Sequence, residues 1–222
     1  MRDIRSETIS IIEKSTLVYN VSNGYLASKR TYDIIGALTL LLFFAPLFTV
    51  VIIFIRLVFR GPAFIFEERS GLRGNVFKMF KFRSSPVDGS KWLKHIQSEK
   101  KTADGFNWEK DDENLSFAGK IIVKTGIEKL PALFNVIIGD LSLVGPRSPT
   151  IWETLNYKPM HILKFSAKPG ITGLWRIYKV DRTDDEEMVK VDLKYIRERN
   201  FKSDISIMLK TISIIFGASR AA

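Results

Sequence analysis

No charged side chain occurs between Asp33 and Arg56, and the intervening Ile34–Ile55 reads IIGALTLLLFFAPLFTVVIIFI. Its length matches the roughly 20 apolar residues that cross a hydrocarbon core. A buried core helix is the alternative, but a chain of 222 residues seldom needs so long an apolar run. Pro46 lies near its middle. Proline removes one backbone donor and crowds the preceding turn, so a kink or break is expected there. Lys29 and Arg30 precede the segment, and Arg56 and Arg60 follow it. Basic flanks are retained on the cytoplasmic side of a membrane. A straight span cannot satisfy both flanks. A helix–break–helix hairpin that enters and leaves by one face can, and a kinked single span is the alternative.

Thirty-four Lys and Arg against 24 Asp and Glu give a formal charge of +10. That balance suits lipid headgroups, phosphorylated ligands or nucleic acid. Headgroups beside the apolar block account for it, so no nucleic-acid partner is expected. The absence of cysteine excludes a disulfide framework and a thiolate metal site. Met1–Ser28 is polar and lacks the apolar core and small-residue cleavage site of a signal peptide, so export is not expected.

The chain divides into an N-terminal extension over 1–28, a membrane-associated segment over 29–60 and a cytoplasmic domain over 61–222. The fold class is α+β and mostly helical: a re-entrant membrane hairpin attached to a small α/β domain with surface amphipathic helices. Short strands are expected at Ala63–Glu67 and Val76–Phe82, joined by a turn. Lys91–Asn114 reads as a charged surface helix followed by a loop. Gly126–Gly139 has helical spacing at Ile127, Leu130, Phe134 and Ile138, with Pro131 in its first turns. Lys168–Gly173 is turn-rich, Leu174–Val180 reads as a short strand and Met188–Asn200 as a charged helix. Ser203–Phe216 is amphipathic and suited to lie on protein or on the membrane surface. His95 and His161 are isolated and expected to be solvated. Trp92, Trp108 and Trp175 suit an interfacial position, although Trp175 also suits a core.

Candidate chemistry centres on Ile127–Arg147. Glu128 and Lys129 stand near a helix start, where a carboxylate commonly serves the helix dipole. A tight turn follows at Gly139-Asp140, and Asp140 reads more readily as a turn or capping residue than as a site residue. Gly145-Pro146-Arg147 fixes the backbone beside an arginine whose fork suits a phosphate. Lys81 and Arg83 suit a diphosphate equally with an anionic membrane surface.

The ordered motifs are Lys29-Arg30-Thr31-Tyr32-Asp33, Gly61-Pro62, Glu68-Arg69, Gly71, Phe77 and Lys81-Phe82-Arg83-Ser84. They continue with Leu130-Pro131, Leu133-Phe134-Asn135-Val136, Gly139-Asp140 and Ser142 through Arg147. Lys168-Pro169-Gly170-Ile171-Thr172-Gly173-Leu174-Trp175, Asp192, Tyr195, Asp204 and Thr211 complete the series. From Lys29 to about Thr211 the chain resembles the monotopic phosphoglycosyl transferases, the bacterial sugar transferase family. The resemblance implies transfer of a sugar-1-phosphate from a UDP-sugar to polyprenyl phosphate, at the cytoplasmic face of a bacterial inner membrane. It implies a covalent phospho-sugar intermediate on an aspartate, a neighbouring glutamate that helps hold Mg²⁺, and a re-entrant membrane segment. The product begins a glycan, capsule or exopolysaccharide chain.

The sequence departs from that pattern where the chemistry lies. The Asp-Glu dyad before Leu-Pro is here Glu128-Lys129. Glu128 takes the nucleophile position with one extra methylene, and Lys129 replaces the metal-binding glutamate with an ammonium that repels Mg²⁺. Val123 stands for an expected arginine, Asn114 for a second basic residue and Ala132 for a glutamine. Lys81, Arg83, Arg147 and Asp140 remain as substrate-binding candidates. The departures open a second reading: a catalytically degenerate partner or regulator, forming a homo- or hetero-oligomer with an active homologue.

Overall fold

The structure, a computed structural model, describes residues 23–59, 61–84, 117–155, 157–180 and 184–215. The expected helix and loop over Lys91–Asn114, with Trp92, His95 and Trp108, lie outside the described residues.

Helix α1 runs from Asn23 to Phe59 and holds Pro46 within it. Of the kink or break expected at Pro46, the break is not seen, because the helix continues through it. Proline's fixed φ is compatible with a helix, and one missing donor is tolerated where flanking turns keep their bonds. The hydroxyls of Thr39 and Thr49 return to the carbonyls of Ile35 and Ala45 at 2.9 and 3.2 Å. Polar atoms on an apolar helix are thereby satisfied within the helix itself. Mean hydropathy reaches 2.8 over an 18-residue window of α1, of which only 17% is buried by the protein. Leu42, Phe43 and Leu57 are each about three-quarters exposed. Apolar surface of this extent belongs in a membrane, so the chain is membrane-associated.

The chain forms two compact units. The larger comprises residues up to Phe43, Phe66–Phe80 and the chain from Ala132 onward. Strands β1 (Phe64–Ser70) and β2 (Val76–Phe82) pair through a tight turn. In that turn Arg73 and Gly74 have φ of 57° and 72°. Strands β3 (Ser142–Val144) and β4 (Gly170–Thr172) pair in parallel, Ser142 with Gly170 and Val144 with Thr172. Both are short, and β3 is buried along its length. Its Leu143 and Val144 enter a core with Ala37, Leu133, Val136, Ile196 and Ile207. Gly36 admits the Leu143 side chain, since a Cβ there would lie 2.6 Å from Leu143 Cδ1. Asp33 accepts the Leu143 N–H at 3.0 Å, which pins the start of the apolar helix to the buried strand.

Helix α3 (Ala132–Ile138) packs on this core and exposes Phe134 and Ile138. Asn135 is completely buried on it. Its side chain accepts the Phe80 N–H at 2.9 Å and donates to the Lys78 carbonyl at 2.8 Å, tying the helix to β2. After the short helix α4 (Ile151–Leu155) comes a 3-10 stretch, Pro159–Ser166. His161 lies in it and is 4% exposed. Its expected solvation is thus corrected: the Tyr157 ring meets the imidazole edge-on, with centroids 5.3 Å apart.

Leu174–Ile177 forms one turn of helix, α5, and not the expected strand. Four residues carry too little periodicity to separate the two. Helix α6 (Asp185–Glu198) begins with Asp184 accepting the Glu187 N–H at 2.9 Å. Three acids fill its first turn, where the helix dipole favours them. Helix α7 (Phe201–Ile215) is amphipathic, with Ile207 buried and Ile205, Leu209 and Ile212 exposed.

The smaller unit comprises Phe44–Ile65 and Lys81–Pro131. Within it Phe48, Val51, Ile55 and Phe59 form one buried stripe of α1. Phe82 is completely buried, with the rings of Phe48 and Phe64 at 5.2 and 5.3 Å. Helix α2 (Phe117–Thr125) leads to a 3-10 turn, Ile127–Lys129. The helix expected over Gly126–Gly139 is therefore two pieces. Pro131 has no N–H to return to Ile127, so the Leu130 amide takes that carbonyl at 3.0 Å and α3 starts afresh at Ala132.

Candidate functional site

Glu128 and Lys129 lie in the turn that joins α2 to Pro131, and both side chains are partly exposed. The turn is shaped by its backbone. Gly126 adopts φ 73°, and the Lys129 amide reaches the Gly126 carbonyl at 3.1 Å. A left-handed residue at this point costs a glycine nothing. Lys81 and Arg83 belong to the same unit. The Arg83 amide donates to the Ala63 carbonyl at 2.9 Å, and its guanidinium lies over Gly61, where a Cβ would fall 3.3 Å from Cζ and nearer still to Nη1. The bare backbone of Gly61 thus seats this cation.

Arg147 and Asp140 belong to the larger unit. Arg147 is buried, and both ends of its fork donate to Glu153 at 2.8 Å. The bidentate pair with Glu153 takes up one edge of this buried guanidinium. Asp140 accepts from Asn135 Nδ2 at 3.2 Å, and its amide returns to the Asn135 carbonyl at 3.0 Å. Its contacts are those of a turn residue.

Two charged clusters in the larger unit carry no mark in the sequence as sites. In the first, Lys164 and Asp192 form an ion pair at 2.9 Å with both side chains 1% exposed. Asp192 also accepts the Arg147 amide at 3.1 Å, so the Gly-Pro-Arg loop hangs on this pair. Burial pushes Lys164 down, but Asp192 and Tyr157 outweigh it and hold the ammonium above its ordinary value. Burial lowers the pKa of His161, whose Nδ1 has no hydrogen-bond partner among the described residues. In the second cluster Asp204, completely buried, accepts from Tyr25 at 2.9 Å, Lys29 at 2.8 Å, Tyr195 at 2.8 Å and also Tyr32. Burial and Asp204 together push the Tyr195 hydroxyl far up, so it stays a donor. These contacts fasten the start of α1 to α7. Asp192, Tyr195 and Asp204 are among the family-like positions of the sequence. Lys164, Glu153 and Tyr157 are not, and no local pattern distinguishes them.

The donor set does not fit Mg²⁺ at the Ile127–Lys129 turn. The ion takes oxygen ligands, commonly one or two carboxylates. The turn offers one carboxylate followed directly by an ammonium. Among the described residues no three His, Asp or Glu side chains gather as a metal-holding group.

A family model described as bacterial sugar transferase matches residues 24–218. The galactosyl transferase CpsE of Streptococcus agalactiae serotype III is 38% identical over 94% of this chain and 46% of its own length. The undecaprenyl-phosphate galactose phosphotransferase of Salmonella typhimurium is 34% identical over 84% of this chain and 40% of its own. The exopolysaccharide production protein ExoY of Rhizobium meliloti is 29% identical over 85% of each. The chain spans about half the length, or less, of the first two relatives. The match over nearly all described residues places this chain in the bacterial sugar transferase family.

Proposed function

We propose that this chain transfers a sugar-1-phosphate from a UDP-sugar to polyprenyl phosphate at the cytoplasmic face of a bacterial inner membrane, beginning a glycan, capsule or exopolysaccharide chain. Glu128 carries the reading. It is a partly exposed carboxylate at the family's nucleophile position, in one compact unit with Lys81 and Arg83. A Glu128 oxygen attacks the phosphorus that bears the sugar, the bond to UMP breaks and UMP leaves. A polyprenyl phosphate oxygen then attacks the same phosphorus and frees Glu128. Lys129, Lys81 and Arg83 offset the diphosphate charge. The printed name of the Salmonella relative supports the acceptor class. Basic residues on both flanks support insertion of α1 from one face, with a bend at Pro46, where one helical bond is missing.

The experiment is UMP release from UDP-sugars in the presence of polyprenyl phosphate, with and without excess chelator. Turnover that survives chelation and disappears in Glu128→Ala is the expected result. UMP release that is unchanged in Glu128→Ala overturns the assignment. Lys129 favours a second reading, since an ammonium replaces a metal ligand and the longer Glu128 shifts its oxygens by about 1 Å, a displacement worth ~10²-fold in a positioned reaction. On that reading the chain is a partner or regulator of an active homologue. No UMP release alone, with release restored on co-expression of a homologue, would establish it.

A further inference from the structure

Two cations converge on a corner that Gly139 leaves bare. Gly139 ends α3 with φ +109°, a conformation other residues rarely adopt. A Cβ built there would lie 3.4 Å from Arg30 Nη2 and 3.6 Å from Lys168 Nζ. Both charges therefore face one point with no side chain between them. Arg30 comes from the early turns of α1, and Lys168 from the segment before β4.

Arg30 donates to the carbonyls of Val136 and Ile137 at 2.6 and 2.7 Å, closing the end of α3. A guanidinium has five N–H donors, so others remain for a ligand. Among the described residues Lys168 Nζ makes no hydrogen bond. Burial lowers its pKa, and Arg30 lowers it further. The charges of Asp33 and Asp140 offset this in part, but their hydrogen bonds go to the Leu143 amide and to Asn135 and not to Lys168. Like charges held side by side and half-buried are relieved by an anion that bridges them.

The surroundings identify that anion. Arg30 stands four residues before Ile34, which places it about 6 Å along the helix from the charge-free run. That is headgroup depth if the apolar run lies in the membrane. Hydrocarbon lies alongside: Ile138 precedes the corner and is 63% exposed, and Ile35 on α1 is 59% exposed. We propose that Arg30, Lys168 and the bare backbone at Gly139 bind the phosphate of a membrane lipid. The inference rests on the membrane placement of α1 and not on the transfer chemistry, so it stands or falls without UMP release.

The test is limited acetylation of the full chain in maltoside micelles. Peptide mass spectrometry reads Lys168, with exposed Lys120 as the internal reference. The added probes are phosphatidic acid, phosphatidylglycerol, diacylglycerol and inorganic phosphate. Charge-assisted bonds of this kind are expected to slow Lys168 acetylation about tenfold with phosphatidic acid. Diacylglycerol has no effect, and inorganic phosphate protects less than either phospholipid. The balance between phosphatidic acid and phosphatidylglycerol distinguishes a monoester from a diester ligand. Arg30→Gln removes most of the protection. No protection by either phospholipid overturns the proposal. Equal protection by diacylglycerol overturns it in favour of simple tail coverage, and equal protection by inorganic phosphate in favour of a free-anion site.

Discussion

Replacing Lys164 by Met leaves Asp192 buried without its ion-pair partner. The carboxylate keeps the Arg147 amide at 3.1 Å but loses the ammonium at 2.9 Å. At 1% exposure it gains no water in exchange. The alternative open to it is to take up a proton. From an ordinary carboxylate pKa, neutralising it at pH 7 costs about 4 kcal/mol, at 1.36 kcal/mol per pH unit. That bound agrees with the roughly 3–5 kcal/mol seen when one partner of a buried pair is removed. For a chain of this size each kcal/mol moves the melting temperature by about 2–4 °C. Lys164→Met is therefore expected to melt roughly 10 °C below the parent, read by near-ultraviolet circular dichroism in maltoside micelles.

The sign of the pH dependence follows from the same proton. In Lys164→Met the folded carboxyl binds its proton more tightly than the unfolded one, so the fold is relatively favoured as pH falls. Between pH 7 and pH 5 the deficit relative to the parent should shrink by at most about 2.7 kcal/mol, since burial already raises the Asp192 carboxyl in the parent. Adding Asp192→Asn removes the buried charge and keeps an acceptor for the Arg147 amide, so the double variant recovers most of the loss at pH 7. A deficit that is independent of pH, or below about 1 kcal/mol, would refute the reasoning, because a solvated carboxylate would produce either.

Gly145→Ala places a Cβ 2.7 Å from the Gly170 nitrogen and 2.9 Å from the Pro169 carbonyl carbon. This backbone leads into β4 and cannot retreat without unpairing it from β3, so a loss of about 3 kcal/mol or more is expected in the same melt. Asp204→Leu strands the donors of Tyr25, Lys29 and Tyr195. Amide exchange over residues 24–32 should rise about tenfold for each 1.4 kcal/mol of local stability lost, and unchanged exchange would refute the latch. Restoring an acidic dyad with Glu128→Asp and Lys129→Glu should shift the fold by no more than about 0.5 kcal/mol. The same variant should make UMP release depend on Mg²⁺. A metal-independent rate in it would refute the role given to Lys129.

Much of this architecture is written locally. The charge-free run of α1 and the alternation of Val76–Phe82 are both patterns in contiguous sequence; the first lies inside a longer helix and the second became a strand with the expected bounds. Strands β3 and β4 have three residues each, too few for a period to register. They exist because two glycines let distant backbones meet, which no local window records. Lys164 is one of 34 Lys and Arg, and nothing around it signals complete burial. Its partner arrives from α6. His161 is hidden by Tyr157 for the same reason. Glu128 and Lys129 stand out in the sequence as candidates, but the 3-10 turn that holds them does not, because the effect of Pro131 on Leu130 is felt only through the hydrogen bond it withholds. The sequence offers Arg147 as a candidate for a phosphate, and the structure pairs it with Glu153. The carboxylate that occupies it, Glu153, lies six residues on across a loop and has no helical register with it.

The contrast between the two sets of charges bears on how the dyad positions could change. In the larger unit Asp33, Arg147, Lys164, Asp192 and Asp204 each close a bond on which an element depends, so replacing one disturbs the fold. At Ile127–Lys129 the bonds that shape the turn run between backbone atoms: Lys129 amide to Gly126 carbonyl, and Leu130 amide to Ile127 carbonyl. Gly126 and Pro131 supply the dihedral and the missing donor that make this turn, and neither is a dyad residue. A Glu or a Lys in the turn leaves those bonds unchanged. The backbone bonds of this turn therefore do not depend on which side chains stand at 128 and 129. If the proposed transfer reaction runs through Glu128, a change there is read out in turnover, while a change at Asp192 or Asp204 is read out in stability.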